Sequence, residues 1–139
     1  MKFLLAQINP VVGDLEGNAK KILFTASKAS STSADLVLTP ELSLWGYPAN
    51  DLLLKKNLIK NQYQILDQLA LDINKKYGSL SITVGIAEII NDSFFPNLYN
   101  SIALLEAGEW KIIARKIILP TYEVFDEKRY FRSEEKVSV

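Results

Sequence analysis

The sequence predicts an α/β fold, a mixed sheet with covering helices. Three observations carry that expectation. Strand-like apolar runs at 2–8 and 36–38 are each followed by a stretch with helical character. A third apolar run, SITVGIAEII at 81–90, suits a central strand. The segment LYNSIALLEAGEWKIIARK, 98–116, then reads as two strands about a tight turn at Ala107, Gly108 and Glu109. Strand, helix, strand, helix, strand implies parallel pairing with helices packed on the sheet. The hairpin adds antiparallel strands.

Each element has its own signals. Residues 2–8 read as a buried strand broken by Pro10 and Gly13. Asp14 or Asn18 can cap the next helix, where Ala19, Ile22, Leu23, Ala26 and Ala29 recur at helical spacing. The run 30–33, SerSerThrSer, ends it, and Pro40 stops the short strand Leu36–Leu38. Residues 45–49 form a loop, and Asn50 and Asp51 can start new helical structure. A long helix spans about 57–77, with Leu58, Ile65, Leu66, Leu69 and Ile73 on one face and Gly78 as its stop. Residues 91–97 are a turn-rich link, and the last twenty-odd residues from Leu119 are mostly loop.

The 139 residues suit one domain, or part of a larger one. Lys plus Arg and Asp plus Glu both total 16, so no basic stripe points to nucleic acid. The chain holds no cysteine and no histidine. Disulfides, thiolate metal sites and the commonest neutral-pH base are thereby excluded from these residues. The start, MKFLLAQINP, is too short an apolar run for a signal peptide. No run approaches the roughly 18 apolar residues of a membrane span. A soluble cytoplasmic protein is expected, without membrane or nucleic-acid partners.

Three stretches can carry chemistry. Glu41 sits in LTPELSLWGYPANDLLL, 38–54, just beyond a predicted strand. In α/β sheets, sites gather past the carboxyl ends of strands. A half-buried carboxylate titrates above its ordinary range, as a general base near neutrality needs. The alternative is a helix cap or an arginine partner. Lys116 follows the apolar strand 111–114 and either stabilises developing negative charge or solvates a sheet edge. LPTYEVFDEKRYF, 119–131, packs four aromatics and five charges into thirteen residues. Such a loop either binds a ligand or packs on its own sheet. GxGxxG and GxxxxGK[ST] are both absent, which counts against a self-contained nucleotide site.

Together these pieces resemble the nitrilase, or carbon–nitrogen hydrolase, superfamily. Within it they are similar to the amino-terminal glutaminase domains of glutamine-dependent NAD⁺ synthetases. LLAQINPVVGDLEGNAKKI resembles the opening strand and helix of that branch, and PELSLWGYPANDLLL its base-bearing loop. NLYNSIALLEAGE resembles its hairpin, and KIILPTYEVFDEKRYF its lysine segment. The VFDEKRYF run is the narrowest of these signals. Trp45 stands where the family usually has a small residue, with an expected effect on access to the pocket. Ala49, Thr121 and Glu123 replace a proline, an asparagine and a glycine.

The resemblance implies a nitrilase-like α-β-β-α sandwich, of which 1–139 is the amino-terminal half. It implies a glutamate–lysine–cysteine site whose cysteine lies on the strand after the lysine segment. By their matches, Glu41 is the general base, Lys116 holds the oxyanion and Glu127 orients Lys116. Tyr122, six residues after Lys116, matches a position that contacts L-glutamine, and Tyr47 is assigned with it to glutamine binding. Cofactors are expected to be none in this chain. ATP and Mg²⁺, with deamido-NAD⁺, belong to a synthetase domain outside it, and the intact enzyme is expected to be a homo-oligomer. The chain alone is expected to be inactive, and poorly soluble because half a sandwich leaves apolar faces uncovered. Three other readings stay open: another amidohydrolase such as an ω-amidase or carbamoylase, a non-catalytic truncated remnant, and a flavodoxin-like binding module.

Overall fold

The computed structural model describes residues 1–92 and 94–135. Residue 93 of the turn-rich link and residues 136–139 of the final loop lie outside the described residues. The strands are β1 (Phe3–Leu5), β2 (Leu36–Leu38), β3 (Ser81–Ile89), β4 (Leu98–Glu106) and β5 (Glu109–Arg115). The helices are α1 (Leu15–Ser31) and α2 (Lys56–Tyr77), with 3₁₀ turns at Asn50–Leu54 and Glu127–Arg129. The sheet order is β1-β2-β3-β4-β5. The first three strands are parallel and the last two antiparallel, the mixed sheet that the element order predicts.

Adjacent parallel strands joined by right-handed crossovers place both connecting helices on one face. On that face the aligned Val37, Ile82 and Leu105 are completely buried. On the other, Phe3 and Leu5 of β1 and Ile102 of β4 stay exposed. The first strand is therefore three residues long rather than seven, and an open edge rather than a buried strand. The hairpin turns through two residues, Ala107 and Gly108, both with positive φ. That is the twist that matches two-residue hairpins, so Glu109 already belongs to β5.

Asp14 is the cap of α1, accepting the Gly17 N–H at 2.9 Å. Asn18 lies buried inside the helix instead, bonded to Val11 and to the Leu44 carbonyl. The inward stripe of α2 runs through Ile59, Gln62, Leu66, Leu69, Ala70 and Ile73, with Leu58 and Ile65 only at its margin.

Gln62 explains how a polar residue enters that stripe. Strand β2 ends at Leu38, which strips β3 of a partner beyond Thr83. Side chains and a loop close this edge. Thr39 donates to the Thr83 carbonyl, Ser43 accepts from Gly85 N–H, and Leu44 N–H donates to Gly85. Gln62 then pairs with both backbone groups of Ala87 at 2.8 and 3.0 Å. Buried backbone groups must find such partners. The polar residues that satisfy β3 thus also fasten the loop 39–46 to it.

Candidate active site

Glu41 rides on that fastened loop. Its neighbour Leu42 has φ 45°, a left-handed conformation that costs a side chain about 1–2 kcal/mol. The turn fits only because Gly85 lies beneath it. A Cβ on Gly85 would stand 2.3 Å from the Leu42 nitrogen and 2.9 Å from the Pro40 carbonyl oxygen. The Glu41 side chain is 44% exposed, more open than the apolar run around it suggests. The burial falls on Leu42, Ser43, Leu44 and Trp45.

Lys116 follows the last residue of β5, and its backbone N–H donates to the Asn100 carbonyl on β4 at 2.8 Å. Its ammonium donates to Glu41 Oε1 at 2.7 Å and to Glu127 Oε1 at 2.9 Å. Glu127 is 5% exposed, held in the short helical turn of the aromatic loop. A buried carboxylate needs a cation and hydrogen-bond donors to remain charged. Lys116 supplies the first, and the Tyr47 hydroxyl donates to Glu127 Oε1 at 2.7 Å. Burial, the bond to Glu127 and the field of the two carboxylates all push the Tyr47 hydroxyl well above its ordinary range, so it stays a donor. Burial alone would lower the Lys116 pKa, but its bonds to Glu41 and Glu127 outweigh that and raise it.

Two hydrogen bonds leave one ammonium proton of Lys116 uncommitted among the described residues. The group opens on a cavity of about 290 Å³, lined by Glu41, Leu42, Gly85, Asn100 and Ile102. A larger cavity, about 330 Å³, lies beside Ile59, Phe94, Phe95 and Leu98 and contains none of these charged groups. Among the described residues no group of three or more His, Cys, Asp or Glu side chains is arranged to hold a metal ion.

The structure brings Glu41, Lys116, Glu127 and Tyr47 together, with Tyr122 at the rim, joined to Tyr47 through Phe125. Tyr122 is 65% exposed and meets Phe125 edge-on at 5.6 Å. Of the four aromatics in that loop, Tyr130 and Phe131 are buried and Phe125 half-buried. Trp45 does not line the cavity. It is completely buried, and its indole N–H donates to Gln62 on the helix side of the loop. Sequence reasoning missed Asn100, which donates to Glu41 Oε1 at 2.6 Å. The signal was a polar residue inside the otherwise apolar strand LYNSIALLE.

A mixed sheet with covering helices, carrying a lysine between two carboxylates beside a cavity, defines an α/β protein with a charged cluster at one sheet end. The chain belongs to the carbon–nitrogen hydrolase family, whose description "Carbon-nitrogen hydrolase" matches residues 5–139. It is 42% identical over 135 residues to a glutamine-dependent NAD(+) synthetase of Synechocystis sp., covering 95% of this chain and 24% of the relative. It is 37% identical over 139 residues to the Thermotoga maritima enzyme of the same name, covering 100% of this chain and 23% of that one. The solved glutamine-dependent NAD+ synthetase of Acinetobacter baumannii superposes with a TM-score of 0.83 at 36% identity, over 96% of this chain and 24% of that chain. The chain thus spans about a quarter of the length of these relatives and matches their amino-terminal region. No helix among the described residues is long and apolar enough to cross a membrane.

Proposed function

We propose that these residues form the base-and-lysine part of a glutaminase. It would release ammonia from the side-chain amide of L-glutamine, for amidation of deamido-NAD⁺ by a synthetase domain. The observation that carries this reading is Lys116, bridging Glu41 and Glu127 with a proton to spare beside a cavity. The names of the relatives support the choice of glutamine and NAD⁺ synthesis.

Each residue then has a task. Glu41 takes the proton of an attacking thiol and later hands it to the departing ammonia. A second proton transfer to Glu41 activates the water that clears the acyl group. Lys116 offers its uncommitted N–H to the oxyanion of the tetrahedral intermediate, where a fixed donor acts most strongly. Glu127, fixed by Tyr47, keeps that ammonium in place. The thiol is not among the 139 residues, which hold no cysteine, so this chain by itself is proposed to be inactive. ATP and Mg²⁺ do not fit the residues present, which offer neither a phosphate loop nor a metal-binding carboxylate group among those described. They are assigned to the separate synthetase domain, and no step above runs through them.

The test compares the full-length gene product with the 139-residue chain for glutamate release from glutamine. Activity is expected in the first and none in the second. Glu41→Gln should lower the rate by about 10²–10⁴-fold, the usual worth of a general base. Glutamate release by the 139-residue chain would refute its inactivity. A full rate in Glu41→Gln would refute the base. Preference for amides other than glutamine would favour an ω-amidase type of activity.

A further inference from the structure

We infer that Asn100 is the positioning residue of this site, fixing the Glu41 carboxylate with Oε1 engaged and Oε2 left to take the proton. The inference rests on the reading of Glu41 as a base. Asn100 Nδ2 and Lys116 Nζ both donate to the same oxygen, Glu41 Oε1, at 2.6 and 2.7 Å. No donor among the described residues bonds Oε2. One carboxylate oxygen is therefore saturated and the other is open, which a general base requires.

The two donors differ in what they can fix. Lysine is a point charge on a flexible stem, and a partly exposed ion pair tolerates rotation of either partner. Asparagine has two side-chain torsions, and Asn100 is 4% exposed within the paired part of β4, opposite Ala87. Its amide is consequently a rigid donor with a set direction. Its backbone carbonyl also accepts the Lys116 N–H at 2.8 Å. One residue of β4 thus holds the base by its side chain and the lysine by its main chain. An amide bonded only to bulk structure would not meet the carboxylate at all, and an asparagine in an apolar strand is otherwise unfavourable.

The test is side-chain NMR on the full-length gene product, isotopically labelled at asparagine and glutamate. In the parent, one Asn100 amide proton should lie downfield, and three-bond couplings should show Glu41 in a single rotamer. Glu41→Ala should return that proton to its ordinary position. Asn100→Leu should release Glu41 into averaging rotamers. Asn100→Ala removes the donor without adding bulk, so it should do the same and serves where the leucine disturbs folding. A single Glu41 rotamer retained in the folded Asn100→Ala chain would overturn the inference. A purely structural asparagine would change stability and leave the Glu41 couplings alone. These readouts do not depend on turnover, so an active Glu41→Gln enzyme would sink the base and leave the rotamer result standing.

Discussion

Two neighbouring cations, Arg115 and Lys116, each bridge two carboxylates, yet they differ in what their partners leave over. All three guanidinium nitrogens of Arg115 donate: Nε and Nη2 to Glu88 at 2.7 Å, and Nη1 to Glu134 at 2.9 Å. Ser101 donates to the same Glu88 at 2.7 Å, and the Tyr99 ring lies 4.9 Å from the guanidinium carbon. The bonds to Glu88 and Glu134 raise the Arg115 pKa further still. Both oxygens of Glu88 and both of Glu134 are engaged, and the cluster ties the end of β5 to β3 and to the final loop. Lys116 keeps a proton free beside a cavity, and its partner Glu41 keeps an oxygen free. Charge alone does not mark a site; a carboxylate oxygen left open beside a cavity does.

That contrast can be broken from either side. The largest structural effect should come from Gly85→Ala, whose new Cβ has no room under the Leu42 turn. Overpacking of this kind costs about 1–3 kcal/mol, and the displaced loop carries Glu41 with it. Urea unfolding should show the loss, while the Arg115 cluster on the far side of β3 and β4 keeps its NMR shifts. Arg115→Met should come next, at about 1–2 kcal/mol. Breaking a buried pair costs more, but this one is about one-third exposed on the arginine side, at 34%, and is discounted for screening.

The smallest effect is on pH dependence. Lys116 is raised above its ordinary 10.5 when folded. A raised lysine contributes stability that is fully present below the unfolded value and fades as pH rises through the folded one. The stability gap between the parent and Lys116→Met should therefore hold from neutral pH to about pH 10.5 and shrink above it. A gap that grows with alkalinity would contradict the ion-pair geometry.

Much of this architecture could be read from the residues. Helical periodicity located both helices, and apolar runs bounded by turn residues located all five strands. Strand length could not be read at residues 2–8, since an apolar run does not reveal that it lies on an open edge. Gln62 was hidden for a similar reason: its partners are the Ala87 backbone and Trp45, set by where β2 stops. Glu41 and Lys116 stood out singly as charges beyond strands, but only the family resemblance paired them across 75 positions. The meeting of Asn100 with Glu41 is a property of register and loop path, which no short motif encodes.

The most direct measurement is kcat/KM for glutamine in the full-length gene product, with Lys116→Met and Arg115→Met compared side by side. Loss of a fixed oxyanion donor predicts a fall of about 10²–10³-fold for Lys116→Met. Arg115→Met should keep the parent rate at temperatures where it remains folded. Equal falls in both, or a larger one in Arg115→Met, would contradict the assignment of Lys116 as the working cation.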